Sequence, residues 1–202
     1  LNEQEKAKGI TEASPAFKNR IVNQALQDTL KSKPSPIYSK DFSSRITTGN
    51  FEDDLEKIAD CDWVLEAIIE NLDIKKSLFE KVETYRKPGT LITSNTSGIP
   101  INKLIDGRSD DFKKHFCGTH FFNPPRYLRL LEIIPTAHTS NEVTDFFMDY
   151  GDRCLGKTTV LANDTPAFIA NRVGVFSILL IFQPMEKHGF SVEEIDAFTG
   201  PL

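Results

Sequence analysis

The sequence predicts an α/β fold with a mainly parallel sheet, followed by the beginning of an all-α domain. Between about residues 60 and 161, short apolar segments of strand length alternate with amphipathic helical segments, and this alternation is typical of βαβ units. From Asp164 onward, helical segments follow one another without an intervening strand. We therefore expect one domain over residues 1–163 and the start of a second, helical domain over residues 164–202.

The first 60 residues predict mostly helix and loop. Residues 2–30 are polar with a modest apolar face in their second half, which favours a helix that Pro15 splits. Residues 31–39 are rich in Pro and Ser and predict a loop. A short strand is expected at residues 45–48, and an acidic helix is expected to begin near Glu52.

The central elements follow from apolar periodicity. Residues 63–69, which follow Asp62, are apolar except for Glu66, and this run predicts a strand over residues 62–69 that is covered on both faces. Thr165 as a cap and Pro166 in the first turn predict the start of a long apolar helix that is bent at Pro184. The other expected elements are a helix from Asp73, strands at 90–93, 116–122, 130–134 and 157–161, a helix at 141–154, and a helix after Ser191.

Composition limits the function classes. A net charge of −5 argues against nucleic acid as the main partner. No apolar run approaches the ~18 residues of a membrane helix, and the polar N-terminus argues against a signal peptide. The three cysteines, Cys61, Cys117 and Cys154, are odd in number and widely spaced. They predict neither a disulfide framework nor a metal site, but buried, reduced thiols of a cytoplasmic protein.

His120 and Glu132 are the strongest candidates for catalysis. They lie near the ends of two consecutive apolar segments joined by a turn at Asn123-Pro124-Pro125. If the two strands are neighbours, the carboxylate contacts one ring nitrogen and leaves the other free to accept a proton, as in an oriented general base. The simpler alternative is that Glu132 points to solvent from a half-buried strand.

Six strings, in this order and at close to this spacing, resemble the 3-hydroxyacyl-CoA dehydrogenase family over about residues 60–175. They are Glu66–Asn71, Ser94–Ser97, Gly118–Pro124, Glu132, Leu155–Lys157 and Asn163–Arg172. The overall sequence is also similar to the dehydrogenase part of bacterial multifunctional fatty-acid β-oxidation proteins. The resemblance implies a Rossmann-like, doubly wound, mainly parallel sheet, oxidation of L-3-hydroxyacyl-CoA to 3-ketoacyl-CoA, and NAD as cofactor.

The resemblance also implies site residues and partners. His120 matches the catalytic base and Glu132 its carboxylate, while Ser97 and Asn171 match residues that bind the substrate. The positions that match contacts to NAD are Ala67, Glu70, Lys75, Asn95 and Ser97. The implied partners are an acyl-CoA substrate, a second copy bound through the helical domain, and a fused or separate enoyl-CoA hydratase.

Two departures from the family are visible. The family begins with a strand and a GxGxxG turn that binds pyrophosphate, and the sequence contains no GxGxxG. The family also continues with further helices after the position of Leu202. We expect a chain trimmed at both ends, inactive by itself, with vacant strand positions beside the strand that begins at Asp62. Either further N-terminal sequence fills them or another pairing closes the sheet.

Alternatives stay open at this stage. Ser97 is in a position to cap the helix after Pro100, and Glu70 and Lys75 are equally consistent with solvated surface charges. The protein is either an enzyme or a non-catalytic relative on the same scaffold. A different NAD-dependent 3-hydroxyacid dehydrogenase is a third candidate, but those enzymes generally use a lysine base on the helix where this chain has Asn171.

Overall fold

The computed structural model describes Ala7, Gly9 and residues 11–200. Its centre is a five-stranded sheet with the spatial order β1-β2-β3-β4-β5. The first three strands are parallel, β4 runs antiparallel to β3, and β5 runs parallel to β4. The predicted α/β class with a mainly parallel sheet is confirmed. The strands are β1 Trp63–Glu66, β2 Leu91–Ser94, β3 Phe116–Phe121, β4 Leu130–Pro135 and β5 Thr158–Leu161.

Helices cover both faces of the sheet, and several of them begin at side-chain caps. Asn71 Oδ1 accepts hydrogen bonds from the backbone N–H groups of Asp73 and Ile74 at the start of α3, and Ser191 with Glu194 forms a capping box at α8. The helices are α1 Pro15–Lys18, α2 Arg20–Lys31, α3 Leu72–Tyr85, α4 Ile101–Leu104, α5 Asp110–Lys114, α6 Asn141–Arg153, α7 Ala170–His188 and α8 Val192–Thr199. Lys40–Arg45 and Leu55–Asp60 form 3-10 helices.

The core has two layers because successive strand residues point to opposite faces. One layer packs under α3, α4 and α5, and Phe79, Phe112 and Phe116 are fully buried in it. The other layer packs under α6, where Leu131 and Phe147 meet. His120 and Glu132 lie on the same strands as these core residues, so the core positions both of them.

Gly118 allows α4 to approach the strand that carries His120. A Cβ atom at this position would lie 2.8 Å from Ile101 Cδ1, at the end of a flexible side chain, and 3.1 Å from Ile134 Cβ, so these neighbours would have to shift. The absence of a side chain at Gly118 therefore favours the close contact between α4 and β3.

The sequence prediction was wrong at the edge of the sheet. Residues 45–48 form no strand, and the expected acidic helix is instead a 3-10 helix that begins at Leu55. The strand predicted at residues 62–69 is shorter, and Leu65 is 41% exposed because β1 pairs only with β2 among the described residues. Apolar composition predicts a strand, but a neighbouring strand must supply its hydrogen bonds.

Helix boundaries near the two ends also differ from expectation. Pro15 begins α1, and α2 follows it as predicted, while residues 2–6, 8 and 10 of the predicted helix lie outside the described residues. At the other end, the long helix begins at Ala170 and not at Pro166, because Ala167 and Phe168 have φ angles of 63° and 46°. A helix cannot run through such residues.

Helix α7 is apolar around most of its circumference, yet it is largely exposed. Seven of its large apolar side chains are between 47% and 60% exposed, namely Val173, Val175, Phe176, Ile178, Leu179, Leu180 and Phe182. Within the part of the chain that the structure describes, no helix is both long and apolar enough to cross a membrane. The described residues likewise contain no group of three His, Cys, Asp or Glu residues arranged for a metal ion.

The prediction of three buried thiols is correct only for Cys117. Cys117 is fully buried, and burial raises the pKa of its thiol. Cys61 and Cys154 are exposed, because they lie in the connections before β1 and after α6, outside both core layers.

Lys157 fixes the connection between β3 and β4. Its side chain is buried, at 6% exposure, and no carboxylate pairs with it among the described residues. Its ammonium donates to the backbone carbonyl oxygens of Pro125 and Leu128, the latter at 2.8 Å. These hydrogen bonds therefore connect the turn that follows His120 to the start of β5.

Replacing this ammonium by a methyl group should destabilise the protein. In Lys157→Met the two carbonyl groups lose their donor, and we expect the free energy of unfolding to fall by about 1–3 kcal/mol, as measured by urea denaturation. Lys103→Met, at an exposed position, is the matched control and should change it by less than about 0.5 kcal/mol. Equal effects of the two substitutions would contradict the structural role of Lys157.

Candidate active site

His120 and Glu132 form a buried pair between β3 and β4. They are directly opposite each other in the antiparallel register, so both side chains lie on the same face of the sheet. His120 Nδ1 is 2.6 Å from Glu132 Oε2, and the two residues are 6% and 0% exposed. The prediction that the two strands are neighbours and that these side chains meet is confirmed. The alternative in which Glu132 faces solvent is wrong.

The second oxygen of Glu132 caps helix α7. Glu132 Oε1 accepts hydrogen bonds from the backbone N–H groups of Ile169, at 2.9 Å, and Ala170, at 2.8 Å. These N–H groups have no partner within the helix and lie at its positive end, so they favour an ionised carboxylate. Because an ionised carboxylate only accepts hydrogen bonds, Nδ1 of His120 is the donor. In the neutral imidazole, this arrangement leaves the lone pair on Nε2.

Two aromatic rings fix the orientation of the His120 imidazole. The ring centroids of Phe122 and Phe168 lie 4.5 Å and 5.6 Å from that of His120. Phe168 is buried although its backbone has a positive φ, as does that of Ala167. This unfavourable conformation persists only where the surroundings determine it. Here the ring contact with His120 and the cap from Glu132 determine it.

A carboxylate fixes the loop that carries Ser97. Glu70 Oε1 accepts hydrogen bonds from Thr96 Oγ1 and from the backbone N–H groups of Ser97, at 3.2 Å, and Gly98, at 2.8 Å. Burial raises the pKa of Glu70, but these hydrogen bonds and the charge of Lys75 outweigh it, so the pKa lies below its ordinary value. Glu70 is thus an anion that binds three consecutive residues of the loop.

Ser97 does not cap a helix. The backbone N–H groups of Ile101 and Asn102 at the start of α4 donate to the carboxylate of Asp164, at 2.8 Å and 2.9 Å. The alternative in which Ser97 is only a helix cap is therefore wrong, and its hydroxyl is half-buried beside the Glu70 contacts. Asp164 connects the beginning of the helical segment to α4.

The two predicted amide side chains lie on different segments, the loop after β2 and the first turn of α7. Asn95 follows β2, and its Oδ1 accepts a hydrogen bond from the backbone N–H of Phe121 at 2.9 Å, one residue after His120. Its amide nitrogen has no hydrogen bond to any described residue and remains able to donate. Asn171 is half-buried in the first turn of α7, next to the N–H groups that Glu132 caps.

Lys75 is not a solvated charge, in contrast to one of the alternatives. Its side chain is 1% exposed, and its Nζ donates to Glu66 Oε1 at 2.7 Å and to the carbonyl oxygen of Ile68 at 3.1 Å. Glu70 Oε2 lies 3.4 Å from the same nitrogen. Three acceptors match the three N–H donors of an ammonium group.

The predicted site residues meet at one edge of the sheet, at the carboxyl ends of the parallel strands. A cavity of about 30 Å³ lies between residues 97–100 and residues 165–168, so the Ser97 loop adjoins the turn that packs on His120. Ala67 lies on the same edge, exposed, after β1. A cavity of about 740 Å³ lies at the opposite edge, beside Leu91 and His115, but no predicted site residue lines it.

Sequence reasoning missed three contacts that build the site. They are the burial of Glu66 beside Lys75, the capping of α4 by Asp164, and the capping of α7 by Glu132. Each joins residues at least nine positions apart. A single sequence signals such contacts only weakly, through a charged residue inside an apolar run, as at Glu66 and Glu132.

The chain is similar to known dehydrogenases. The family model described as 3-hydroxyacyl-CoA dehydrogenase, NAD binding domain, matches residues 6–165. A probable 3-hydroxyacyl-CoA dehydrogenase of Bacillus subtilis is 48% identical over 202 residues, which are 100% of this chain and 26% of that protein. A putative fatty acid oxidation complex trifunctional enzyme of Rickettsia felis is 46% identical over 163 residues, which are 81% of this chain and 23% of that protein. The chain thus spans about a quarter of the length of these two relatives.

A solved structure supports the same conclusion. The crystal structure of (S)-3-hydroxybutyryl-CoA dehydrogenase from Ralstonia eutropha matches with a TM-score of 0.72 and 26% sequence identity, over 90% of this chain and 64% of that chain. The Rossmann-like fold inferred from the sequence is therefore confirmed. Because the family model and the Bacillus subtilis relative both extend over most of this chain, the chain belongs to the 3-hydroxyacyl-CoA dehydrogenase family and contains sequence of its NAD-binding domain.

Proposed function

We propose that this chain supplies the base and part of the NAD site of an enzyme that oxidises L-3-hydroxyacyl-CoA to 3-ketoacyl-CoA in fatty-acid β-oxidation. The observation that carries the proposal is the buried His120–Glu132 pair, in which Glu132 is fixed by two backbone N–H groups. The name of the Rickettsia felis relative supports the fatty-acid oxidation context.

The proposed base is Nε2 of His120. Loss of hydride from carbon 3 of the substrate requires that the hydroxyl proton leave, and an imidazole nitrogen with a free lone pair can accept it. The carboxylate of Glu132 then stabilises the imidazolium that forms, as the third group of a catalytic triad does. Because Glu132 is already fixed by α7, little reorganisation accompanies the proton transfer.

Ser97 and Asn171 are the proposed substrate ligands. The Ser97 hydroxyl and the Asn171 amide are hydrogen-bonding groups on the two segments that flank His120, the loop after β2 and the first turn of α7. Hydrogen bonds from both sides would orient the 3-oxygen toward Nε2. Such alignment of reacting groups is a large part of enzymatic rate enhancement.

The donor set at the carboxyl edge fits the nicotinamide and ribose half of NAD, which accepts the hydride when bound. The amide nitrogen of Asn95 has no partner among the described residues, the carboxylate of Glu70 is 43% exposed, and Ala67 is exposed. We propose Ala67, Glu70, Asn95 and Ser97 as the residues on this side of the cofactor. Lys75, which the resemblance matches to a contact with NAD, is 1% exposed and its ammonium already faces three acceptors of this chain, so we propose that it acts through Glu70. Dinucleotides bind at this edge in α/β sheets of this kind.

We further propose a boundary between residues 1–163 and 164–202, with the second segment beginning a helical domain. The exposed apolar surface of α7 supports this, since such a surface is usually covered. A second copy of the protein bound through the helical domain is the proposed cover. An enoyl-CoA hydratase, fused or separate, is the proposed functional partner, in agreement with the trifunctional name of the Rickettsia felis relative.

The base assignment can be tested in a chimaera in which this chain replaces the matching segment of the Bacillus subtilis relative. The chimaera should oxidise NADH in the presence of acetoacetyl-CoA, and His120→Gln should lower kcat by about 10²- to 10⁴-fold. Absorbance at the NADH band measures the rate. His138→Gln, at an exposed histidine, is the control and should leave it unchanged. Near-normal turnover of His120→Gln would refute the proposal.

Glu132→Gln separates the two contacts of this carboxylate. Glutamine keeps an oxygen for Ile169 and Ala170, but its amide donates to Nδ1 and moves the histidine proton to Nε2. We expect kcat of the chimaera to fall by about 10²-fold or more while the thermal unfolding midpoint changes little. Glu142→Gln, in the exposed first turn of α6, is the matched control. A normal kcat would show that the tautomer of His120 is unimportant.

This chain by itself is expected to bind NADH weakly. The sequence has no GxGxxG turn for the pyrophosphate, so only the nicotinamide side of the cofactor has proposed ligands. Titration of the chain with NADH should produce little change in nucleotide fluorescence, whereas the chimaera should produce a saturable change. Tight binding to the isolated chain would mean that other residues bind the phosphates.

A further inference from the structure

Glu66 is a buried carboxylate that has no role in the proposed mechanism. It is the last residue of β1 and is 3% exposed. Its Oε1 accepts hydrogen bonds from Lys75 Nζ at 2.7 Å and from the backbone N–H of Ile68 at 2.5 Å, and its Oε2 accepts one from Ser94 Oγ at 2.5 Å. Both oxygens are therefore used, and they join β1, β2 and α3.

These contacts continue to the loop that carries Ser97. Lys75 Nζ lies between Glu66 and Glu70, 3.4 Å from Glu70 Oε2. The other oxygen of Glu70 binds Thr96, Ser97 and Gly98. An unbroken series of charged contacts thus runs from the buried end of β1 to the proposed substrate ligand. The backbone carbonyl of Glu66 also accepts from the N–H of Asn95 at 2.8 Å.

Stability alone does not account for a buried ion pair of this kind. Removing two charges from water costs about as much as their attraction returns, and well-packed apolar residues often serve as well or better. What such a pair does provide is a defined geometry, because hydrogen-bonded charges tolerate little displacement. The geometry fixed here is that of Lys75, Glu70 and the Ser97 loop.

We infer that Glu66 is a positioning residue, which acts through Lys75 and Glu70 to place the Ser97 loop beside His120. Glu66 is too deeply buried to touch substrate or cofactor itself. Its charge determines where the Lys75 ammonium lies, and this in turn determines which way the Glu70 carboxylate faces. The functional meaning rests on the proposed function, since the loop matters for catalysis only if Ser97 binds the substrate.

Glu66→Gln tests the inference in the full chain because it removes the charge but keeps the shape and the acceptor oxygen. With its main carboxylate lost, the Lys75 ammonium should shift toward Glu70 and weaken the hydrogen bonds to the loop. We expect hydrogen exchange of the Ser97 and Gly98 amides to accelerate about tenfold or more, the effect of losing one hydrogen bond to a charged group. Residue-resolved NMR measures it, with amides of helix α6, which packs in the other core layer, as internal reference.

Glu80→Gln is the matched control, since Glu80 is exposed on α3 and outside this series of contacts. It should leave exchange of the loop amides unchanged. If Glu66→Gln does not fold, the double variant Glu66→Gln/Lys75→Met avoids a lone buried charge. In the double variant, hydrogen exchange of the Ser97 and Gly98 amides should also accelerate, because Lys75 no longer determines which way the Glu70 carboxylate faces.

Two outcomes would overturn the inference. One is wild-type exchange at Ser97 and Gly98 in either variant, which would show that Glu66 does not position the loop. The other is an equal acceleration at the amides of α6, which would show a purely global loss of stability. Failure of the proposed function is distinguished from both, because it would appear as an inactive chimaera, whatever the exchange at Ser97.

Discussion

The carboxylate of Glu132 joins three parts of the molecule, and the geometry of the site depends on it. One oxygen binds His120 on the neighbouring strand, and the other binds the N-terminal N–H groups of α7. The carboxylate is fully buried, so each hydrogen bond must form or its desolvation is not compensated. The histidine, the strand and the helix that carries Asn171 are therefore positioned together.

A second carboxylate, Glu70, has a similar role on the other side of the site, where it also accepts hydrogen bonds from backbone N–H groups. It binds three consecutive residues of the Ser97 loop, while Lys75 and Glu66 fix it from the interior. Both sides of the site are thus built in the same manner. On each side, a carboxylate accepts hydrogen bonds from backbone N–H groups that have no partner in a helix or sheet. The N–H groups of helix ends and loops generally need such acceptors.

The unusual backbone at Ala167 and Phe168 follows from this arrangement. The turn must bring the Phe168 ring against His120 and also direct the N–H groups of residues 169 and 170 toward Glu132. A regular helix from Pro166 would do neither. Two residues with positive φ are unfavourable, and the contacts of His120 and Glu132 offset that cost.

The sequence by itself determined the fold class and most helices and strands, because apolar periodicity and cap residues act locally. It left the pairing of His120 with Glu132 conditional on neighbouring strands, and the family resemblance favoured that pairing. The family resemblance supplied the candidate roles of the other site residues. Only the tertiary structure decided that residues 45–48 form no strand, that α7 begins at Ala170, and that Lys75 is buried. In each case the deciding contact joins residues distant in the chain, such as Glu132 with Ala170. The free energy of such a contact depends on burial and on the partner, and neither is encoded in the local sequence.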